Sequence, residues 1–468
     1  MNVFKKIFVS VILILFLSST IMPMIKSEDL NSNNQLKSKN SICDLLILAP
    51  SKFIRSLQPL VCHKNKFEVR TKLVSLDYVY RDIWYGRDDA EKIKFFIKKA
   101  IEESGIKYVL LVGGIKKPFS FHEDYWLPVR YVYVEDRWSG FAGPFDEPKF
   151  ISDLYYADIY DSKGKFSSWD SDGDGIYGEW NNNNSAEDIL DLYPDVYVGR
   201  LPCINNFEVK IMVNKIINYE KEKCDDDWFK NMVVVAGDTY PGDDYEGETE
   251  TQEALDKMLG FNHIKLWCSL GTFNSSKDVI NAINKGCGFL YFQGHGAPSC
   301  WGTNSPILNK YINGLQNGEM HKLKNYKKLP VCIIGGCHNS LINVSLFHTT
   351  WNAGIPCFKC FSWRLANKIG GGTIASIGNT ALGYGPKDKL DPSPGGGGGD
   401  IATYFFDAYG INNTDNLGEA WGKAIGSYLD EFTIKWDENS YNDTSIDAKT
   451  VMQWMLIGDP SLKIGGYS

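Results

Sequence analysis

Apolar and polar positions follow two rhythms along this chain. Short unbroken runs of aliphatic and aromatic residues, each closed by glycine, proline or a polar residue, predict buried parallel strands. They are 44–50, 108–114, 194–202, 231–238, 289–296, 329–339 and 371–378. A further strand candidate covers 66–76, and a closing element lies within 454–464. Between these runs a period near 3.6 predicts helices. Residues 88–104 carry Ile93, Phe96, Ile97, Ala100 and Ile101 on one face, and Gly105 stops the helix. Further helices are expected over 206–221, in the acidic stretch that ends at Leu259, and around 279–285. Strand–helix–strand alternation at this spacing is the βαβ unit of a mostly parallel sheet. The glycine run 395–399 reads as a flexible loop tip with no side chains for chemistry, and it is too short for a phosphate loop and lacks that loop's Lys-Ser/Thr. The chain is therefore placed in the α/β class, as two tandem subdomains over 41–225 and 226–468.

Two of the strands end in chemistry. One closes Gln293-Gly294-His295-Gly296, and the other Gly335-Gly336-Cys337-His338-Asn339. In open α/β sheets, ligands bind beyond the carboxyl ends of strands. Two such strands side by side set an imidazole beside a thiol, the pair of a Cys/His hydrolase. A thiol with the ordinary pKa of about 8.5 is only a few per cent thiolate at neutral pH, and a neighbouring histidine can take its proton. Glycines flanking His295 let backbone approach a substrate closely. The amides of Gly296 and Cys337 are candidate donors to a developing oxyanion. Cys332 lies inside its apolar run and reads as core. Cys300 is expected in a loop with Pro298 and Trp301, so Cys337 is the favoured nucleophile. The plain alternative is a core cysteine and a histidine satisfied in a turn.

A second pattern is Asp170-Ser171-Asp172-Gly173-Asp174-Gly175-Ile176. Alternate carboxylates, a turning glycine and the Ile176 carbonyl make the start of a Ca²⁺ loop. Its twelfth position is Asn181 where a helix-loop-helix hand has Glu, and Glu179 lies nearby. A Ca²⁺-stapled surface loop is expected, with a merely acidic turn as the alternative.

Composition adds the compartment. The net charge of −8 and the lack of a basic stripe argue against a nucleic-acid partner. Residues 1–27 read as a secretory signal, with Lys5 and Lys6 ahead of an apolar Ile7–Leu17. An uncleaved anchor is the competing reading, and the only route to a membrane. Residues 28–40 are expected to be a linker or propeptide. There are 11 cysteines. With Cys337 free the remainder is even in number, which is compatible with disulfides. Cys357 and Cys360 form a Cys-x-x-Cys, but a second such pair for zinc is missing.

Several stretches together resemble the gingipain-type cysteine peptidases, family C25 of the caspase-like clan. They are Tyr108–Gly114, Ser152–Tyr155, Tyr197–Arg200, Gly294–Gly296, Trp301–Thr303, Leu329–Cys337 and Gly458–Leu462. The resemblance runs from about Cys43 to Leu462. It implies a caspase-like three-layer α/β/α fold, with a non-catalytic subdomain followed by a catalytic one. It implies endopeptidase activity on protein or peptide substrates through His295 and Cys337. It puts Asp238 in the place of the acid that orients the histidine, where gingipains carry Glu. It puts Glu250, after Gly247-Glu248, in the place of an acid in the primary specificity pocket, which favours Arg or Lys before the cleaved bond. Trp301 is expected to contact substrate. The alternative for Glu250 is a solvated acidic helix start. The pocket-lining tryptophan of gingipains has no counterpart near Asn379–Tyr384. The expected protein is a secreted cysteine endopeptidase with a structural Ca²⁺. The alternatives are an inactive, calcium-binding exported surface protein of the same fold and a transpeptidase.

Overall fold

The computed structural model describes residues 42–467, apart from 118–122, 137–146, 182–183, 222–223, 225–226, 241–244, 345–356 and 386–395. The expected signal segment 1–27 and the linker 28–40 lie outside the described residues.

The described strands are β1 (Leu45–Ala49), β2 (Thr71–Ser75), β3 (Tyr108–Val112), β4 (Tyr131–Tyr133), β5 (Lys149–Ile151), β6 (Tyr197–Leu201), β7 (Asn231–Ala236), β8 (Asn262–Trp267), β9 (Phe289–Gln293), β10 (His295–Ala297), β11 (Cys300–Ser305), β12 (Lys310–Gln316), β13 (Val331–Gly335), β14 (Ala375–Asn379) and β15 (Trp454–Ile457). One 10-stranded sheet has the order β2-β1-β3-β6-β15-β14-β13-β9-β7-β8. Neighbours run parallel on either side of β15, which lies antiparallel to β14, so the sheet reverses direction there. β1, β3, β9 and β13 are buried along their whole length. Unbroken apolar runs are what strands covered on both faces require.

Helices fill the crossovers. The helix Asp89–Ser104 starts where the Asp88 side chain accepts from the Glu91 N–H and ends at Gly105, whose φ of 65° a side chain would strain. Its Ile93, Phe96, Ile97 and Ala100 are buried, while Ile101 stays partly exposed. The glycine run behaves differently from the expected loop tip. Gly398 and Gly399 begin the helix Gly398–Gly410, and both are buried. All 11 cysteines are free thiols, so no disulfide uses the even remainder.

Buried ions brace the place where β6 meets β15. Arg200, at the end of β6, is fully buried and pairs with Ile457 of β15. Its guanidinium grips both oxygens of Asp153 at 2.7 Å and donates to the carbonyls of Gly113, Leu127 and Pro128. Such a fork satisfies the donors that burial strips of water. Gly199 must be glycine, because a Cβ there would sit 2.5 Å from the Gly458 oxygen. Asp459 pairs with buried Lys64 at 2.9 Å, and Lys64 also holds Glu220 at 2.7 Å. Three stretches singled out in the sequence, Ser152–Tyr155, Tyr197–Arg200 and Gly458–Leu462, thus meet at one joint.

Candidate active site

The register of β9 and β13 builds the site. Gln293 pairs with Gly335 in parallel strands, and two residues beyond each lie His295 and Cys337. Adjacent strands are about 4.8 Å apart, so the apolar runs bring both side chains to one level of the sheet edge. The chains then touch backbone to backbone. A Cβ on Gly296 would lie 2.3 Å from Asn339 Oδ1 and 2.5 Å from the Cys337 oxygen. A Cβ on Gly336 would lie 3.0 Å from the Gly296 backbone. β10, β11 and β12 form a small antiparallel sheet carrying His295. Cys300 belongs to β11, a strand where a loop was expected. Asn339 clamps this sheet to the Cys337 turn, with Nδ2 donating to the carbonyls of Ala297 at 2.7 Å and Cys300 at 2.9 Å. Sequence reasoning passed over Asn339, although it stands two residues past the candidate nucleophile.

Cys337 is partly buried, and its Sγ accepts from the Gly383 N–H at 3.3 Å. Burial pushes the thiol above its ordinary value, and the Glu147 carboxylate adds to that. The amides of Gly383, Cys337 and Gly296 pull the other way, because their N–H groups favour the thiolate. The sulfur thus lies within reach of donors that would steady its anion.

His295 is partly buried, and its Nε2 lies 2.6 Å from the Thr239 oxygen. A carbonyl can only accept, so Nε2 carries the proton and Nδ1 is left as the basic nitrogen. The ring's hydrogen bond therefore goes to the residue after Asp238. Asp238 itself is buried, exchanges backbone hydrogen bonds with Asn304, and sets its carboxyl against Glu246. Burial, and then that neighbour, push the Glu246 carboxyl up. Glu246 Oε2 accepts from the Thr239 and Tyr240 amides at 3.2 and 3.4 Å, which pins the segment that meets His295.

Glu250 is 4% exposed. That argues against the solvated helix start, although it lies on the helix Glu246–Lys257. Its Oε2 accepts from Gln293 Nε2 at 2.5 Å. A Cβ on Gly399 would lie 2.2 Å from Glu250 Oε1, so the glycine run makes room for this carboxylate. Tyr240 stands beside both Glu250 and Cys337: its phenol is pushed to about 12 by burial, then by those two groups. Trp301 was expected to touch substrate. It is instead fully buried, with its ring 5.0 Å from Phe292 and 6.1 Å from Phe273. The apolar face of β11 wins the indole for the core, so Trp301 is a packing residue.

The acidic loop closes on itself elsewhere in the fold. Ligand oxygens of Asp170, Asp172 and Asp174 all lie within 4.8 Å of one another. Asp170 already accepts from the Gly173 and Gly175 amides and pairs with Arg87 at 2.5 Å. Ile176 is exposed. Glu179 is buried, its Oε2 has no hydrogen-bond partner, and its carboxyl is pushed up to about 7 by burial and by Glu187, Asp174, Asp172 and Asp188.

The model of peptidase family C25 matches residues 38–465. Gingipain R2 of Porphyromonas gingivalis is 21% identical over 430 residues, covering 90% of this chain and 46% of that protein. Gingipain R1 of the same organism is 21% identical over 428 residues, covering 90% of this chain and 34% of that protein. The chain thus spans less than half the length of these relatives. Among solved structures, the Arg-specific cysteine proteinase gingipain R superposes with a TM-score of 0.59 at 19% identity, over 90% of this chain and 78% of that one. The complex of the RgpB pro- and mature domains of Porphyromonas gingivalis gives a TM-score of 0.58 at 18% identity, over 90% and 79% of the two chains. At such identities the likeness establishes the fold, a gingipain-like, caspase-like α/β architecture.

Proposed function

The chain belongs to peptidase family C25, and from that premise we propose that it is an exported cysteine endopeptidase acting through Cys337 and His295. The observation that carries this reading is the Gln293–Gly335 register, which ends two neighbouring strands in an imidazole and a thiol. His295 Nδ1 takes the Sγ proton as the sulfur attacks the scissile carbonyl. The amides of Gly296 and Cys337 receive the oxyanion. The imidazolium then protonates the leaving amine, and water hydrolyses the thioester with His295 again as base. Thr239 fixes the tautomer that makes the proton transfer possible, and Asp238, beside Glu246, supports the segment.

Glu250 is proposed as the acid that selects Arg or Lys before the cleaved bond. Its support is a buried carboxylate near Tyr240, which also neighbours Cys337. A structural Ca²⁺ is proposed at Asp170, Asp172 and Asp174, with the Ile176 carbonyl and Glu179. The donor set fits: oxygen ligands converge, and Glu179 presents a buried oxygen without a partner. Bound there, the cation would neutralise a crowded set of carboxylates. Arg87 supplies part of that neutralisation at Asp170. The leader-like residues 1–27 support export.

A fluorogenic peptide panel varying the residue before the cleaved bond tests the reading, with Cys337→Ala alongside. The expected result is cleavage by the wild type and none by the variant, with an unchanged melting temperature. Equal cleavage by both would sink the assignment. A wild type that binds Ca²⁺ but cleaves nothing would favour the inactive surface protein.

A further inference from the structure

We propose that Glu147 is a positioning residue for Cys337, holding the turn that carries the sulfur against the loop whose amide faces it. The proposal rests on Cys337 being the nucleophile, as read above. Glu147 stands just before β5, far from the nucleophile in sequence, yet one of its oxygens reaches both sides of the site. Oε2 lies 2.8 Å from His338 Nε2, on the residue after Cys337. The same oxygen accepts from the Leu382 N–H at 3.0 Å, on the residue before Gly383. Gly383 is the donor to Cys337 Sγ. A single carboxylate therefore bridges the two segments whose separation sets the sulfur's hydrogen bond.

The bridge holds a strained turn. His338 is fully buried with φ of 56°, a left-handed conformation that residues other than glycine seldom adopt. Its N–H donates to the Ala381 carbonyl at 2.8 Å, so backbone and side chain both tie it to the 381–383 loop. Such strain persists where surrounding contacts over-determine it. Glu147 is itself anchored. Fully buried Lys449 donates to its carbonyl at 2.7 Å and to Asp136 Oδ2 at 2.9 Å. Tyr384, next to Gly383, donates to Asp136 Oδ2 at 2.6 Å. Among the described residues, Glu147, Asp136 and Lys449 are charged groups gathered around His338 and this loop. A purely structural ion pair would explain the burial. It would not explain why the bridge spans the two neighbours of one sulfur–amide contact.

The test uses the full chain with Glu147→Ala and Glu147→Gln. Iodoacetamide labelling of Cys337 is followed against pH by peptide mass spectrometry, and kcat and KM are measured on a cleaved peptide. Glu147→Ala should lower kcat by up to about 100-fold with KM little changed, since displacement of reacting groups by about 1 Å has that effect. Glu147→Gln keeps an acceptor for the Leu382 amide, so it should restore part of kcat. It also removes a negative charge, so its labelling profile should move to lower pH. The proposal is overturned if both variants label with the wild-type profile, or if Glu147→Ala keeps kcat within about twofold of wild type. If the alanine variant does not fold, the glutamine profile decides. Labelling reads the thiol whether or not peptides are cleaved. A chain without peptidase activity would therefore remove the functional reading and leave this test standing.

Discussion

Replacing Gly296 by alanine perturbs the site at its tightest point. The added Cβ would stand 2.5 Å from the Cys337 oxygen and 2.3 Å from Asn339 Oδ1. Ordinary contact begins near 3.4 Å, so the β10 chain must retreat by about 0.9 Å from the Cys337 oxygen and about 1.1 Å from Asn339 Oδ1. The turn cannot yield instead, because His338, Asn339 and Ser340 are fully buried and hydrogen-bonded to the Ala381 carbonyl, to the Ala297 and Cys300 carbonyls and to the Asn379 carbonyl. His295 moves with β10, so its imidazole leaves the sulfur by a similar distance. A misplacement of this size lowers kcat by roughly 100-fold, or about 2.7 kcal/mol of barrier. Overpacking should also remove about 1–3 kcal/mol of stability, too little to unfold the chain. The assay is steady-state cleavage of a fluorogenic peptide at a temperature where circular dichroism reports a folded variant. A folded Gly296→Ala enzyme with kcat within about threefold of wild type would refute the backbone contact as the device that sets the pair.

Other expectations test separate parts of the account. Glu250→Gln should reduce kcat/KM for Arg or Lys substrates by about 10- to 150-fold, the worth of a charge-assisted hydrogen bond of about 1.5–3 kcal/mol. Neutral substrates should be unaffected, and an equal loss for both would assign Glu250 to the fold alone. Lys64→Met leaves Glu220 and Asp459 buried without their cation and should lower unfolding free energy by about 3–5 kcal/mol in urea titration. No change in the urea midpoint would show that the joint is held by packing. EDTA should lower the melting temperature of wild type but not of Asp172→Asn/Asp174→Asn. Equal curves with and without chelator would remove the calcium proposal.

Much of the sheet was legible because each core strand is a continuous apolar run: Tyr108–Val112 and Val331–Gly335 announce themselves. The ends of those strands were legible for the same reason, and with them the places of His295 and Cys337 just beyond two neighbouring strands. What escaped depends on partners distant in sequence. Trp301 looked like a substrate contact because it stands in one of the stretches that carry the resemblance; the core face of β11 decides its place. The glycine run 395–399 read as a loop because glycine has low helix propensity. Gly399 nevertheless lies in the helix Gly398–Gly410, and a side chain there would run into Glu250. Arg200 and Asp153 lie 47 positions apart, and only the folded chain reveals that they form one ion pair. Asn339 carries no motif on its own; its role appears once β10 and β11 offer it two carbonyls. Thr239 takes the histidine's hydrogen bond through its backbone, which no side-chain pattern can signal.

The most direct measurement is covalent capture by a peptidyl acyloxymethyl ketone carrying Arg or Lys, read by peptide mass spectrometry on the wild type and on His295→Ala. A single adduct on Cys337, formed by the wild type and greatly slowed in the histidine variant, is the predicted result. An adduct on another of the free thiols, or equal rates of Cys337 modification with and without the imidazole, would contradict the pairing from which the proposed chemistry follows.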